Sequence, residues 1–345
     1  MCFEKYLLQQ IAQHPSMQPQ DVAKLCYQAA YGAEHLLEDV SAAAEYFRRE
    51  FETVPAGDSP LYEYISPDYA RVNLAAWKKS GMPGAWLFAL FCAGAGPNEQ
   101  GREVLENYLG IAEENLSDFS FSFQSWREFI EDYSKRGMPA LHHSALYRQA
   151  ERPAYRLVRR DMLRVLPVLE AAAKCEKRPC IIAIDGCAGS GKSTMAALLS
   201  TILAGDVVHM DDFFLPPALR TAERLSQPGG NVHYERYAEE VLPQLRYGEA
   251  FEYTVFSCRI MDFDGARKIR NSNYVIVEGS YSLHPHFGDY ADIPVFSDIE
   301  PEEQLSRLRI RNGEAMAKVF KDKWIPMEEM YFEEFDIPNR CGLVL

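Results

Sequence analysis

Apolar residues recur at helical spacing through most of the first half of the chain. Close to the start, residues three or four positions apart form one apolar face: Phe3, Tyr6, Leu7 and Ile11. Pro19 suits the first turn of a second helix, and Ser41 is predicted to cap a third. Further helices are predicted over residues 74–79, 85–92, 102–115, 126–134 and 154–173. Residues 1–175 are therefore predicted to form a mainly α-helical domain.

The pattern changes after a short charged stretch at residues 174–179. Short β-rich apolar runs then alternate with helical segments, and strands are predicted over residues 180–185, 206–210, 274–278, 293–298 and 341–345. Such alternation is typical of a parallel sheet with helices on both faces. Residues 176–345 are therefore predicted to form a separate α/β domain.

Composition narrows the classes of function. The chain has 345 residues, enough for two domains, and a net charge of −14, which argues against a general nucleic-acid binder. No apolar run reaches the roughly 18 residues that a membrane span needs. The eight cysteines lack zinc-ligand spacing and, with no signal peptide at the start, indicate reduced thiols in the cytoplasm. We therefore expect no nucleic-acid or membrane partner.

Residues 186–194 read GCAGSGKST and satisfy the Walker A pattern GxxxxGK[ST]. The motif follows an apolar run and opens a helical pattern, so backbone N–H groups can surround phosphate oxygens at a helix N-terminus. Lys192 is predicted to reach the β- and γ-phosphates, and Ser193 to bind Mg²⁺. The alternative interpretation is a glycine-rich loop that turns the chain and binds no nucleotide. The predicted nucleotide-binding residues are Gly186, Cys187, Ala188, Gly189, Ser190, Gly191, Lys192, Ser193 and Thr194.

Three later stretches extend the pattern: HMDDFF at 209–214, YVIVEGSYSLH at 274–284 and VFSDIEPEEQLSRLRIRN at 295–312. Together with the P-loop, they resemble the uridine kinase and phosphoribulokinase family, which includes nicotinamide riboside kinases with a similar DDFF stretch. The resemblance covers residues 180–345 only. It implies a three-layer P-loop NTPase fold, binding of ATP and Mg²⁺, and phosphorylation of a hydroxyl group on a small molecule.

The resemblance also implies residue roles. Asp211 matches the acid that accepts the substrate hydroxyl proton, although the residues alone do not separate it from Asp212. Glu278 matches a Walker B-type acid that holds Mg²⁺ directly or through water. Arg307 and Arg311 match arginines of a basic lid that stabilises the transferred phosphoryl group, with a solvated helix face as the alternative. The lid departs from the family pattern at Gln304, Leu308 and Asn312.

The acceptor pocket fits the family less well. His233 stands where uridine kinases have an Asp that holds the ribose, and the His that reads the pyrimidine is missing. The further candidates to line the pocket are Tyr234, Arg236, Tyr253 and Arg259. These departures weaken the case for uridine itself.

Three functions remain open at this stage. The first is a kinase for a nucleoside or ribose-like acceptor. The second is a kinase for another alcohol, such as a sugar phosphate, glycerate or a pantothenate-like compound. The third is an ATP-binding regulatory module that transfers no phosphate. The helical domain could shape the acceptor pocket, sense a ligand or mediate a homo-oligomer.

Overall fold

The computed structural model describes residues 2–247 and 249–345, which divide into two compact units between Arg164 and Val165. The sequence placed the domain boundary after residue 175. The difference is a helix, Leu166–Lys174, that belongs to the second unit and packs on the strand Ile293–Ser297. Its residues Val168 and Leu169 are fully buried, which explains why the helix stays with that core. None of the helices formed by the described residues is long and apolar enough to cross a membrane.

The first unit is mainly helical, as predicted. Its third helix begins one residue before the predicted cap, because Asp39, rather than Ser41, accepts the backbone N–H of Ala42 at 2.9 Å. Its helices are α1 (Phe3–Gln13), α2 (Pro19–Tyr31), α3 (Val40–Thr53), α4 (Leu74–Lys79), α5 (Gly84–Ala93), α6 (Gly101–Glu114), α7 (Phe123–Lys135) and α8 (Ala145–Glu151).

The first unit also holds an antiparallel sheet that the periodicity did not predict. Its strands are β1 (Tyr62–Tyr64), β2 (Tyr69–Asn73) and β3 (Tyr155–Arg159), in that order. The prediction of one helix over residues 154–173 is therefore wrong in its first third. Leu157 and Val158 are buried by pairing with β2, and this tertiary contact outweighs local helix propensity.

A buried polar network runs through the first unit. The guanidinium of Arg71 is almost fully buried and donates to Gln28 Oε1 at 2.9 Å and to Gln10 Oε1 at 2.9 Å. His143 bonds through Nδ1 to Asp21 at 3.0 Å and through Nε2 to the Tyr155 hydroxyl at 2.6 Å. These groups satisfy one another, as buried polar groups must.

The second unit contains a parallel sheet with the strand order β10-β9-β4-β8-β5. Every residue of β4 and β8 is buried, so both faces of the sheet are covered. This is the predicted α/β fold, with the Walker A loop between β4 and α10. The strands of this unit are β4 (Cys180–Gly186), β5 (Asp206–His209), β6 (Phe251–Ser257), β7 (Asp262–Ile269), β8 (Tyr274–Glu278), β9 (Ile293–Ser297) and β10 (Leu343–Val344).

Helices surround this sheet, and β6 and β7 form an antiparallel hairpin beside it that the sequence did not predict as strands. Helix α10 packs on β4, β5 and β8. The helices are α9 (Leu166–Lys174), α10 (Lys192–Leu203), α11 (Ala222–Leu225), α12 (Tyr234–Glu240), α13 (Leu242–Tyr247), α14 (Pro301–Asn312), α15 (Glu314–Val319), α16 (Ile325–Glu334) and α17 (Ile337–Arg340).

Candidate functional site

The P-loop lies at the carboxyl end of β4 and leads directly into α10. Gly186 has φ +134° and pairs in register with Ser297 of β9, so that a Cβ atom at this position would lie 2.1 Å from the Ser297 carbonyl oxygen. Gly189 and Gly191 also have positive φ values, of 76° and 94°. Only glycine takes such a conformation at no steric cost, so these residues allow the tight turn of the loop.

Lys192, the first residue of α10, folds back over the loop. Its Nζ donates to the carbonyl oxygens of Gly186 and Cys187, at 2.8 Å each. The side chain is largely buried, so its charge is held against the loop rather than in open solvent. A long lysine stem at the start of the helix places this ammonium where an anion at the helix N-terminus would meet it.

Ser193 and Glu278 come together although 85 residues separate them in sequence. The Ser193 hydroxyl donates to Glu278 Oε2 at 2.9 Å, and His209 Nδ1 donates to Glu278 Oε1 at 2.6 Å. His209 and Glu278 are register partners at the carboxyl ends of the parallel strands β5 and β8, which explains their contact. The sequence predicted Ser193 and Glu278 as ligands of one ion, but it missed His209.

Two buried acids that the sequence did not identify hold the loop in place. Asp185 accepts the backbone N–H groups of Gly186 (2.7 Å) and Leu283 (2.9 Å), and the Tyr331 hydroxyl at 2.9 Å. Glu328, on α16, accepts the Ala188 N–H at 2.9 Å.

The other oxygen of Glu328 accepts the Ser280 hydroxyl at 2.7 Å. Burial raises the pKa of Glu328 above its usual range, although the nearby Lys192 opposes this rise. Asp185 is adjacent to the motif and Glu328 is remote from it in sequence, so only the fold shows that both support the same loop.

The adjacent carboxylates of Asp211 and Asp212 have different environments. Asp212 is buried and its Oδ2 accepts the Tyr253 hydroxyl at 3.0 Å and Arg267 Nε at 2.6 Å. Asp211, in contrast, is exposed and hydrogen-bonds to no side chain among the described residues. Asp212 is thus committed to a structural ion pair, whereas Asp211 is available to a ligand.

The charges of Glu278 and Lys192 act on Asp211. Although its side chain is exposed to solvent, the surrounding protein atoms and the negative charge of Glu278 raise the pKa of Asp211, and the positive charge of Lys192 lowers it. Asp211 therefore lies within electrostatic reach of both the lysine of the P-loop and the acid at the end of β8. A carboxylate with a raised pKa next to a cation is suited to accept a proton.

The predicted acceptor residues fall into two groups. Tyr234, at the start of α12, is half-buried and stacks on His284 with 4.7 Å between ring centroids, and the Arg224 guanidinium lies over its ring, 3.8 Å from the centroid. His233 precedes it, half-buried, and its Nδ1 has no hydrogen-bond partner among the described residues. Arg259 is exposed in the turn between β6 and β7.

Arg236 and Tyr253, in contrast, are buried and serve the structure around Asp212. Arg236 donates to the Asp212 backbone oxygen and to Thr254 O, the latter at 2.6 Å. The Tyr253 hydroxyl accepts the backbone N–H of His209 at 3.2 Å in addition to its bond to Asp212. Both residues therefore position the end of β5 rather than line an open pocket.

Asn231 is a residue of this region that the sequence analysis missed. Its side chain is buried and its Oδ1 has no hydrogen-bond partner among the described residues. It bonds to Tyr281, whose φ of 75° is strained for a non-glycine residue and whose pKa is raised by burial and by nearby carboxylates, including Glu328 and Asp211. Nothing in the local sequence distinguishes this asparagine from a surface one.

Helix α14 contacts the P-loop through two uncharged residues and one arginine. Gln304 of α14 donates to the Ala188 carbonyl at 2.9 Å, and Leu308 is fully buried against Gly189. These are two of the positions at which the sequence departs from the family pattern. Arg307 is half exposed, pairs with Glu303 at 2.8 Å and reaches the Gly189 carbonyl at 3.5 Å.

Arg311 lies one turn further along α14, on the exposed side of the helix. Its Nε donates to Asn312 Oδ1 at 2.8 Å, and its guanidinium lies 6.0 Å from the centroid of the Phe320 ring. Of these two arginines, Arg307 therefore contacts the P-loop, whereas Arg311 contacts Asn312 and Phe320.

The oxygen atoms of Ser193 and Glu278 fit a magnesium ion. Mg²⁺ prefers one or two protein oxygen ligands together with water and substrate phosphates. The 2.9 Å hydrogen bond between the two side chains brings a hydroxyl and a carboxylate to one point beside the P-loop. Both donors are hard oxygen atoms. The nearby imidazole of His209 bonds to the other oxygen of Glu278 and is not one of these donors.

In comparisons with known proteins, no family model matches the chain. Among solved structures, it is similar to a candidate uridine kinase from Bacillus stearothermophilus, with 20% identity, coverage of 54% of this chain and 98% of that chain, and a TM-score of 0.42. A candidate fructose transport system kinase from Silicibacter sp. matches with 22% identity over 53% of this chain and 98% of that one, with a TM-score of 0.44. A D-glycerate 3-kinase from Cryptococcus neoformans var. grubii matches with 14% identity over 49% and 86%, with a TM-score of 0.35.

Proposed function

We propose that the second unit is an ATP-dependent kinase that transfers the γ-phosphoryl group to a hydroxyl of a small molecule. The observation that carries this proposal is the unpaired carboxylate of Asp211, which lies within electrostatic reach of Lys192 and Glu278. A pure nucleotide sensor has no need of a free base beside the phosphate site. A kinase needs one to orient and deprotonate the attacking hydroxyl.

The loop and its supports supply the phosphate site. Backbone N–H groups of residues 189–193 would surround the phosphate oxygens, and Lys192 would neutralise the charge that spreads over the transferred group. Ser193 and Glu278 would hold Mg²⁺, which would supply positive charge to stabilise the phosphate groups. Arg307 would add a second positive charge, because it already reaches the Gly189 carbonyl from α14.

Asp211 would accept the proton of the acceptor hydroxyl. Asp212 keeps it in place indirectly, because its bonds to Tyr253 and Arg267 fix the turn that follows β5. This difference supports Asp211, rather than Asp212, as the base, a choice that the sequence left open, and it supports a positioning role for Asp212.

For the acceptor, we favour a polyhydroxylated compound such as a nucleoside or another ribose-like molecule. The buried Oδ1 of Asn231 can accept a hydrogen bond from an acceptor hydroxyl, because none of the described residues donates one to it. An acceptor that carries a hydroxyl next to the reacting one satisfies this group, and a site built on such bonds discriminates strongly against acceptors that lack them.

The test is an ADP-release screen of the full-length protein with MgATP against nucleosides, sugar phosphates, glycerate and pantothenate-like alcohols. We expect turnover with one acceptor class, and its loss in Asp211→Asn. Tight binding of ATP without ADP release for any acceptor would instead favour the regulatory module. Activity that is unchanged in Asp211→Asn would exclude this residue as the base.

A further inference from the structure

Two thiols and a carboxylate lie together at the amino-terminal end of the strands, whereas the P-loop lies at the carboxyl end. Cys175 follows the last residue of α9, Cys180 begins β4, and Asp292 immediately precedes β9. One ligand atom from each residue lies within 4.8 Å of the other two. Because the strands are parallel, the starts of β4 and β9 share an edge, whereas the P-loop follows the end of β4.

We propose that Cys175, Cys180 and Asp292 bind one Zn²⁺ ion. Two thiolate sulfurs and a carboxylate oxygen form a donor set that suits zinc and does not suit Mg²⁺. In a tetrahedral zinc site neighbouring ligand atoms lie about 3.5–3.8 Å apart, so ligand atoms now within 4.8 Å of one another need to move closer by at most about 1.0–1.3 Å. A water molecule would complete the coordination.

The cluster is built from three separate elements and is largely sheltered. Cys180 is fully buried, and the Asp292 side chain is 6% exposed. The backbone holds the Asp292 side chain in place, because its Oδ2 accepts the Ile181 N–H at 2.9 Å. Its Oδ1 bonds to the ammonium of Lys177 at 2.7 Å, and this lysine is 70% exposed.

The Asp292 Oδ1 atom is thus held by a flexible surface cation and can exchange that partner for a metal. On binding, each thiol would release one proton to solvent, and Lys177 would remain nearby as a counter-charge for the two thiolates and one carboxylate. The site would tie the connection between α9 and β4 to the start of β9. The proposal does not depend on the proposed kinase function.

The sequence alone gives no indication of a zinc site, because the cysteines lack the spacing of known zinc-binding motifs. The two cysteines are five positions apart, and the third ligand lies 112 residues after Cys180. Only the parallel pairing of β4 with β9 brings them together.

The experiment is a Co²⁺ titration of the reduced full-length protein in excess Mg²⁺, which occupies the oxygen-only sites. We expect one equivalent of Co²⁺ to produce thiolate-to-cobalt charge-transfer absorption, and Zn²⁺ to abolish it by displacement. Cys175→Ser and Cys180→Ala should each remove the absorption, and Asp292→Asn should weaken Co²⁺ binding about tenfold or more. Cys92→Ser, at a half-buried thiol of the first unit, is the control and should behave like the unaltered protein.

The effect of Zn²⁺ on Tm distinguishes a variant that has lost metal binding from one that fails to fold. Zn²⁺ should raise the Tm of the unaltered protein and of Cys92→Ser but leave the Tm of Cys175→Ser unchanged. Absence of the absorption in the unaltered protein, or its persistence in both cluster variants, would overturn the proposal. So would a reduced protein that binds no metal and forms a disulfide between Cys175 and Cys180 on exposure to air.

Discussion

The Ser193 hydroxyl donates to Glu278 at 2.9 Å and thereby joins the first turn of α10 to the end of β8. This contact places a hydroxyl from the phosphate-binding loop and a carboxylate from the neighbouring strand at one point. In the proposed kinase the two groups would hold the same ion, so that each would lose this role without the other.

Lys192→Ala should abolish ATP-dependent turnover. Lys192 Nζ is the positive charge that the loop holds against its own carbonyl oxygens, and no other side chain of the motif can neutralise a phosphate. Steady-state ADP release measures the effect. Lys5→Ala, at an exposed position of α1, is the matched control and should keep full activity. Undiminished turnover in Lys192→Ala would remove the P-loop from the mechanism.

Asp211→Asn and Asp212→Asn should have opposite consequences. Asp211→Asn should retain ATP affinity in calorimetry and lower kcat by about 100-fold or more, because the base is lost. Asp212→Asn should mainly lower the free energy of unfolding, by roughly 1 kcal/mol, because its partner Arg267 is half exposed and solvent screens the pair. If Asp212→Asn alone removes turnover, the assignment of the base is wrong.

The pH dependence of kcat/KM should report the environment of Asp211. Burial and the charge of Glu278 raise its pKa, so the basic form is present only as the pH rises above the usual range of an aspartate. The acidic limb of the profile should therefore lie at higher pH than for a solvent-exposed aspartate. In Glu278→Gln the residual activity should show this limb shifted to lower pH, because one negative neighbour is removed. A limb that does not move would mean that another group titrates.

Glu328→Gln and Glu328→Ala should separate the charge of this side chain from its hydrogen bonds. The alanine variant leaves the Ala188 N–H and the Ser280 hydroxyl without their partner and should cost about 1–3 kcal/mol of stability. The glutamine variant can still accept the Ala188 N–H through its amide oxygen and donate its amide N–H to the Ser280 hydroxyl, which can donate to the Gly186 carbonyl instead, so it should retain stability near neutral pH.

The pH dependence of stability should also differ between these two variants and the unaltered protein. The folded-state pKa of Glu328 is raised, so its stabilising contribution is complete below the unfolded-state pKa and is lost as the pH rises through the folded-state value. Glu328→Gln should abolish this loss in thermal denaturation between acidic and neutral pH. A slope equal to that of the unaltered protein would show that Glu328 is not the titrating group.

A fragment of residues 165–345 should fold with a cooperative transition and be more stable than a fragment of residues 176–345. The shorter fragment lacks α9, whose Val168 and Leu169 are fully buried. Each such side chain contributes about 1.5–3 kcal/mol when removed from water. Thermal denaturation followed by circular dichroism compares the two fragments. Equal Tm values would show that α9 is not part of this core.

The sequence predicted those parts of the fold and site that depend on local patterns. The strands β4 and β8 are continuous apolar runs, and the phosphate-binding loop is a contiguous motif, so both were visible without the structure. The strand β3 was mistaken for a helix, because Leu157 and Val158 are buried by a partner strand more than 80 residues away.

The groups that support the site were hidden for the same reason. His209 reaches Glu278 through strand register, and Glu328 reaches the loop from α16, 140 residues after Ala188. No periodicity or spacing records such contacts. The different environments of Asp211 and Asp212 also depend on a remote contact, because Arg267 of the β6–β7 hairpin bonds to Asp212 and not to Asp211.

The position of Lys192 has a consequence for the energetics of nucleotide capture. Its ammonium already has two carbonyl partners in the loop, and the loop itself is anchored by Asp185 and Glu328. Engagement of a phosphate would then be a partner exchange, in which two bonds to neutral oxygens give way to bonds to charged ones. Little of the chain has to become ordered in this exchange, so affinity should depend chiefly on the difference between those bonds.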